Sequence, residues 1–156
     1  MTVHISQSVL ERLSRHAVRE LPDECCGILM GRRNGSDAAV RRAVPANNIA
    51  ESDRRNSYQV DWETLFAALR TARPGPGEIV GFYHSHPDGS TTPSQRDREL
   101  IWPGRSYIIV SITDRECSAV TSWRAPHTGV PFQREPLLLA GSPCTPLRST
   151  VRTSDG

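Results

Sequence analysis

The chain has 156 residues, a formal charge of +2 and an apolar share of 37%. That length fits one domain able to bury a core without disulfides. A charge so small, with no basic run longer than the pairs Arg32-Arg33, Arg41-Arg42 and Arg54-Arg55, excludes an electrostatic nucleic-acid binder. All nineteen basic residues are arginine, so Schiff-base and lysine-base chemistry are excluded as well.

No apolar run approaches the ~20 residues that cross a bilayer, so no membrane partner is expected. The N-terminus has no basic and apolar signal pattern. Cys25, Cys26, Cys117 and Cys144 form neither a C-x-x-C pair nor an even framework, which points to a reducing cytoplasm.

The first predicted element is a helix over about 6–20, with Val9, Leu10, Leu13, Ala17 and Val18 at three- and four-residue steps. Its start is capped either by Ser6 or by a Ser8/Glu11 box, and His16 falls on its polar side as a solvated residue. Residues 24–32 then read as a strand buried on both faces. Asn34-Gly35 is a hairpin turn, and 38–44 is the returning strand. A polar loop over 47–56 and a short extended piece at Tyr58–Val60 lead to a second helix capped by Asp61. Its apolar stripe is read as Leu65, Phe66 and Leu69, and the Pro-Gly repeat at 74–77 ends it. Strands follow at 78–86, 107–112, 118–123 and 130–134, with a short third helix expected over 94–101. From Gly141 the chain is polar, proline-bearing and aperiodic, so the domain is read as 1–140 and 141–156 as a disordered tail. Helices and strands interleave irregularly, which calls for a mixed sheet with helices against it.

The chemistry is concentrated in the segment Tyr-His-Ser-His-Pro-Asp-Gly-Ser-Thr-Thr-Pro-Ser-Gln-Arg-Asp, residues 83–97. His84 and His86 are two apart on a predicted strand, hence on one face with Cα atoms ~6.6–6.8 Å apart. Asp97, on the next element, can bring a carboxylate to the same ion. Two imidazoles, one carboxylate and a free fourth corner are the donor set of a catalytic zinc site. Ser94-x-x-Asp97 is also an ordinary helix N-terminus, with Ser94 as N-cap; its backbone and its hydroxyl can serve both ends. A metal hydrolase needs a proton carrier too. Glu24, an acid opening an apolar strand, is the candidate, although a solvated strand end reads the same way.

Pro-x-Glu-x-Cys-Gly-x-Leu-x-Gly over 22–31, then His-Ser-His-Pro and Pro-Ser-x-x-Asp, resembles the JAMM/MPN+ metalloprotease family across about 3–134. The resemblance implies an α/β fold, a curled mixed β-sheet flanked by helices, MPN/JAB-like and layered as in cytidine deaminases. It implies one Zn2+ per chain held by His84, His86 and Asp97, with Glu24 accepting and returning a proton. Ser94 would stabilise the oxyanion. Small bacterial relatives imply a substrate that is a ubiquitin-like or sulfur-carrier protein, cut after a Gly-Gly-type C-terminal tail. An extended tail is expected along 87–93, added as a strand. The alternatives are a cell-wall or phage-tail-type peptidase, a non-catalytic MPN scaffold and, disfavoured by the weak charge, a nucleic-acid-associated relative of the RadC-like branch. Cys26 shares strand parity with Glu24 but is read as packing.

Overall fold

The computed structural model describes residues 1–74, 77–99 and 101–140. It contains eight strands and two helices: β1 (Val3–Ile5), α1 (Gln7–Arg19), β2 (Cys26–Asn34), β3 (Asp37–Ala46), α2 (Trp62–Thr71), β4 (Glu78–His86), β5 (Ser106–Thr113), β6 (Glu116–Arg124), β7 (Gln133–Glu135) and β8 (Leu137–Leu139). All eight strands form one sheet in the order β7-β6-β5-β4-β2-β3-β1-β8. β4 runs parallel to β5 and antiparallel to β2, and β1 runs parallel to both β3 and β8. The sheet is therefore mixed, as the irregular interleaving of helices and strands predicts. The tail expected over 141–156 lies outside the described residues.

The apolar runs of β2, β4 and β5 are continuous because both faces of the sheet are covered. On one face α1 packs Val9, Leu10, Leu13 and Ala17 against Leu29, Val80, Ile108 and Val110. On the other, α2 contributes Leu65, Ala68 and Ala72 to a cluster with Ile28, Met30, Ile79, Phe82 and Tyr107. Ser6 is the N-cap of α1, its hydroxyl accepting from the Val9 amide at 3.3 Å. Asp61 caps α2 through the Thr64 amide at 2.9 Å. Both caps satisfy donors that a helix start leaves open.

Three local expectations change, and two strands appear that the sequence did not suggest. His16 is buried, not solvated, and its Nδ1 lies 2.8 Å from the Tyr83 hydroxyl. It continues the spacing of Val9 and Leu13, so the stripe of α1 carries a histidine that Tyr83 satisfies. In α2, Phe66 and Leu69 are 55% and 44% exposed beside Trp62. The inward row is Leu65, Ala68 and Ala72; apolar residues nearly all round the helix made the stripe ambiguous. The third helix is only a single 3-10 turn, Arg96–Arg98. Its segment is too polar to bury a face and too short to persist without one. Finally, β1 and β8 are three-residue parallel strands, too short to carry a period.

Candidate metal centre

β4 is a central strand, so its C-terminal end is enclosed by neighbours on both sides. Phe82, His84 and His86 point to the α2 face of that strand at two-residue spacing. The connection from β4 to β5 carries Asp97 back over them in the 3-10 turn. His84, His86 and Asp97 are all buried, at 1%, 4% and 6% exposure. Among the described residues they form a group whose donor atoms all lie within 4.8 Å of one another.

Their geometry is tight. The two Nε2 atoms are 3.1 Å apart, and each lies 3.2 Å from Asp97 Oδ2. The corners of a tetrahedron with edges of 3.1–3.2 Å sit about 2.0 Å from its centre, the usual Zn–N and Zn–O bond length. The chemistry agrees with the distances. His86 Nδ1 is 3.1 Å from the Ser90 carbonyl, an acceptor, so a proton on that nitrogen is satisfied there and Nε2 is left to face a metal. Three electron-rich atoms aimed at one point repel unless a cation or proton lies among them. The residues fit one zinc ion.

Asp97 is oriented by a reciprocal bond with Ser94. The Ser94 amide donates to Asp97 Oδ2 at 2.7 Å, and the Asp97 amide donates to Ser94 Oγ at 3.1 Å. Burial by itself would raise the Asp97 pKa, but the imidazoles of His84 and His86 beside it outweigh that and hold the carboxyl far below its ordinary range. His84 is pulled the other way by burial, which lowers its pKa against the opposing effect of Asp97.

Glu24 precedes β2 rather than opening it and is 4% exposed, so it is no solvated strand end. Burial, then the carboxylates of Asp97, Asp88 and Asp53, push its pKa up to about 9. Its Oε2 is buried without a hydrogen-bond partner. Backbone bonds lock the segment in place. The Glu24 amide donates to the Arg54 carbonyl at 2.8 Å, and the Cys25 amide donates to Ser85 Oγ at 2.7 Å. Ser85, which lies between the two histidines, thus couples the Glu24 segment to β4. Cys26 is fully buried and its thiol reaches only the Asn47 carbonyl, at 3.6 Å, which fits packing.

Two residues unremarked in the sequence stand close to this group. Tyr58 stacks on His84, ring centroids 4.4 Å apart and planes at 20°. Asn48 makes three hydrogen bonds within the loop that carries Tyr58 and a fourth to the Glu24 carbonyl. Neither lies in a periodic element, so only spatial proximity reveals them. A polar cleft of about 320 Å³ opens beside Asp97, bounded by Ala50, Ser57, Tyr58, Gln59 and Arg96. Through Tyr58 and Gln59 it adjoins an apolar cavity of about 260 Å³ lined by Trp62, Phe82, Trp102 and Tyr107. The segment 87–93 is not a free strand edge, because the Ser90 carbonyl takes Ser111 Oγ and His86 Nδ1 and the Thr91 carbonyl takes Thr121 Oγ1.

Fold and donor set together define a mixed-sheet domain with a hydrolase-type metal site at the end of a central strand. Residues 6–126 match the family of prokaryotic homologs of the JAB domain. A desampylase of Haloferax volcanii is 39% identical over 106 residues, 67% of this chain and 73% of that protein. A protein of Thermus thermophilus named as a TtuB-protein conjugate cleaving protease is 32% identical over 103 residues, 65% of this chain and 66% of its own. The CysO-cysteine peptidase of Mycobacterium tuberculosis is 31% identical over 121 residues, 77% and 80% of the two chains. The solution structure of a Desulfitobacterium hafniense protein superposes with TM-score 0.74 at 29% identity, covering 88% of this chain and 92% of that one. A structure described as a JAMM metalloprotease-like zinc site in the proteasome and signalosome shares the fold, with TM-score 0.53 at 18% identity over 89% and 98% of the chains. The chain belongs to the prokaryotic JAB family.

Proposed function

We propose that this chain is a zinc-dependent peptidase that hydrolyses the amide bond following the Gly-Gly-type tail of a ubiquitin-like or sulfur-carrier protein. His84, His86 and Asp97 hold one zinc ion, Glu24 carries the proton and Ser94 stabilises the oxyanion. The observation that carries this reading is the buried triad of converging Nε2 and Oδ2 atoms with an unpartnered buried carboxyl, Glu24, coupled to it. The names of the relatives, one a CysO-cysteine peptidase and one a protease that cleaves TtuB-protein conjugates, support the substrate class.

When bound, the ion polarises the amide carbonyl and lowers the pKa of a water molecule. The remaining work falls to the chain. Glu24 accepts the proton of the attacking water on its carboxylate and returns it to the leaving amine. Its pKa, raised to about 9, is set in part by Asp97. Neutralising Asp97 removes the largest charge contribution and brings Glu24 toward the range where it both takes and gives a proton. Ser94 Oγ accepts from the Asp97 amide, so its own hydroxyl proton is free to point at oxygen where charge develops. The extended tail lies in the polar cleft between the loop of Ala50–Gln59 and Arg96, and the carrier's folded body rests on the adjoining apolar cavity.

On this reading residues 1–140 are the peptidase domain and its place is the cytoplasm. Cys25, Cys26 and Cys117 are free thiols, as in a reducing compartment. No helix of the described residues is long and apolar enough to cross a membrane.

The test is incubation with a sulfur-carrier protein extended beyond Gly-Gly or joined to cysteine, followed by mass spectrometry. Release of the carrier ending in Gly-Gly is expected, and Glu24→Gln should keep zinc while losing a factor of about 10²–10⁴ in turnover. A zinc-loaded wild type that leaves every such tail intact would overturn the substrate class. Full activity in Glu24→Gln would overturn the role of Glu24.

A further inference from the structure

Histidines that hold a metal almost always donate their second N–H to a carbonyl, carboxylate or water, which fixes ring orientation. His86 does so through Ser90. His84 differs: its Nδ1 is buried and has no hydrogen-bond partner. What meets the His84 ring is the face of Tyr58, 4.4 Å away and nearly parallel, and the edge of His86 at 4.9 Å.

Tyr58 lies on neither helix nor strand, so something else must hold it. Asn48 Oδ1 accepts from the Gln59 amide at 3.1 Å, and Asn48 Nδ2 donates to the Ser57 carbonyl at 3.0 Å. These are the residues on either side of Tyr58. The same Nδ2 donates at 3.0 Å to the backbone carbonyl of Glu24, and the same Oδ1 accepts from the Ala50 amide at 3.1 Å. One carboxamide uses both donors and both acceptor sites. It ties the segment that carries Glu24 to the segment that carries the ring on His84.

We propose that Tyr58 is the positioning residue for His84, its stacked ring replacing the missing hydrogen bond, and that Asn48 fastens Tyr58 to the Glu24 backbone so that ligand and proton carrier keep one register. In this role Tyr58 acts on zinc binding through His84, not by touching the ion. The hydroxyl is dispensable and the ring plane is not. This rests on His84 serving as a metal ligand, as set out above.

Zinc affinity, measured by competition with a chromophoric chelator, tests it without any substrate. Tyr58→Phe should bind within about twofold of wild type, whereas Tyr58→Leu should weaken binding about 10- to 100-fold, the range seen when a ligand's support is removed. Asn48→Asp keeps Oδ1 and puts an oxygen against two carbonyls, so it should weaken binding in the same direction. If Asn48 acts through Tyr58, the double variant Asn48→Asp/Tyr58→Leu binds no more weakly than Tyr58→Leu alone; simple structural damage would add. Should the leucine variant fail to fold, proton NMR of the wild type decides, because the tyrosine face shifts His84 ring protons upfield of those of His86. Equal zinc affinity in folded Tyr58→Leu, or no upfield shift in the wild type, overturns the proposal. A wild type that binds no zinc overturns the underlying site instead.

Discussion

Replacing Glu24 by Gln in the metal-free protein should remove a pH dependence of stability that burial imposes. The carboxyl titrates at 4.5 in the reference state and at about 9 in the fold, where burial and then Asp97, Asp88 and Asp53 oppose its ionisation. Between those values the folded chain binds one proton more than the unfolded chain. The stabilisation is therefore complete below 4.5 and is lost as the pH rises toward about 9. One proton corresponds to ~1.4 kcal/mol per pH unit, so a rise from about pH 7 to about pH 8.5 costs ~2 kcal/mol. His16 and His84 have pKa values lowered by burial from 6.5, so their contributions increase with pH only up to that value and are flat above it. The Cys25 thiol, pushed up to about 12, and the raised Cys26 thiol act only near the top of the window, and equally in both proteins. Urea unfolding with a chelator present, at the two pH values, gives the comparison directly. The wild-type midpoint should fall by about 1 M, given slopes of ~1–3 kcal/mol per molar for small domains, and the Gln variant should hold level. Equal losses in the two proteins would refute the buried, protonated state of Glu24.

Asp97→Ala and His84→Ala should each abolish the bound zinc, measured as metal per chain after dialysis; retention of one equivalent by either would exclude that residue from the donor set. Gly81→Ala should destabilise the protein by about 3 kcal/mol or more, because its Cβ would meet the backbone oxygen of Ser106 across the β4–β5 ladder, where no flexible side chain can give way. A thermal midpoint unchanged from wild type would contradict that packing. Tyr83→Phe should cost about 1–3 kcal/mol by leaving His16 Nδ1 buried without its partner; it is read by urea unfolding, and wild-type stability would show the bond to be unimportant.

What was legible in the sequence followed from period and from residue chemistry. β4 is read residue for residue because the apolar run 79–83 stands between a Pro-Gly repeat and the proline that follows His86, which set its bounds. The two histidines are legible because strand parity is strict. Lost was whatever depends on contact between distant segments. Three-residue β1 and β8 exist only through pairing: β1 lies between β3 and β8, and β8 pairs with β1. The burial of His16 depends on a tyrosine 67 residues away. Asn48 falls in the polar loop and Tyr58 in the short extended piece after it, neither long enough to carry a period, and their relation to Glu24 and His84 is created by folding.

The segment from Ser94 to Asp97 resolves a competition that the sequence left open. A serine three residues before an acid is a capping pattern, and capping alone would make Asp97 an ordinary first-turn carboxylate. The reciprocal bonds form, with Ser94 Oγ taking the Asp97 amide and Asp97 Oδ2 taking the Ser94 amide. Yet the same Oδ2 also faces both imidazoles at 3.2 Å, buried, in a turn too short to be a helix worth capping. A helix start exposed to solvent needs no such convergence. The cap is better understood as the device that aims the carboxylate: the amide fixes where Oδ2 lies, and Ser94, held by the same pair of bonds, keeps its hydroxyl proton within the site. Capping and ligation use one geometry, which is why residue types alone could not separate them.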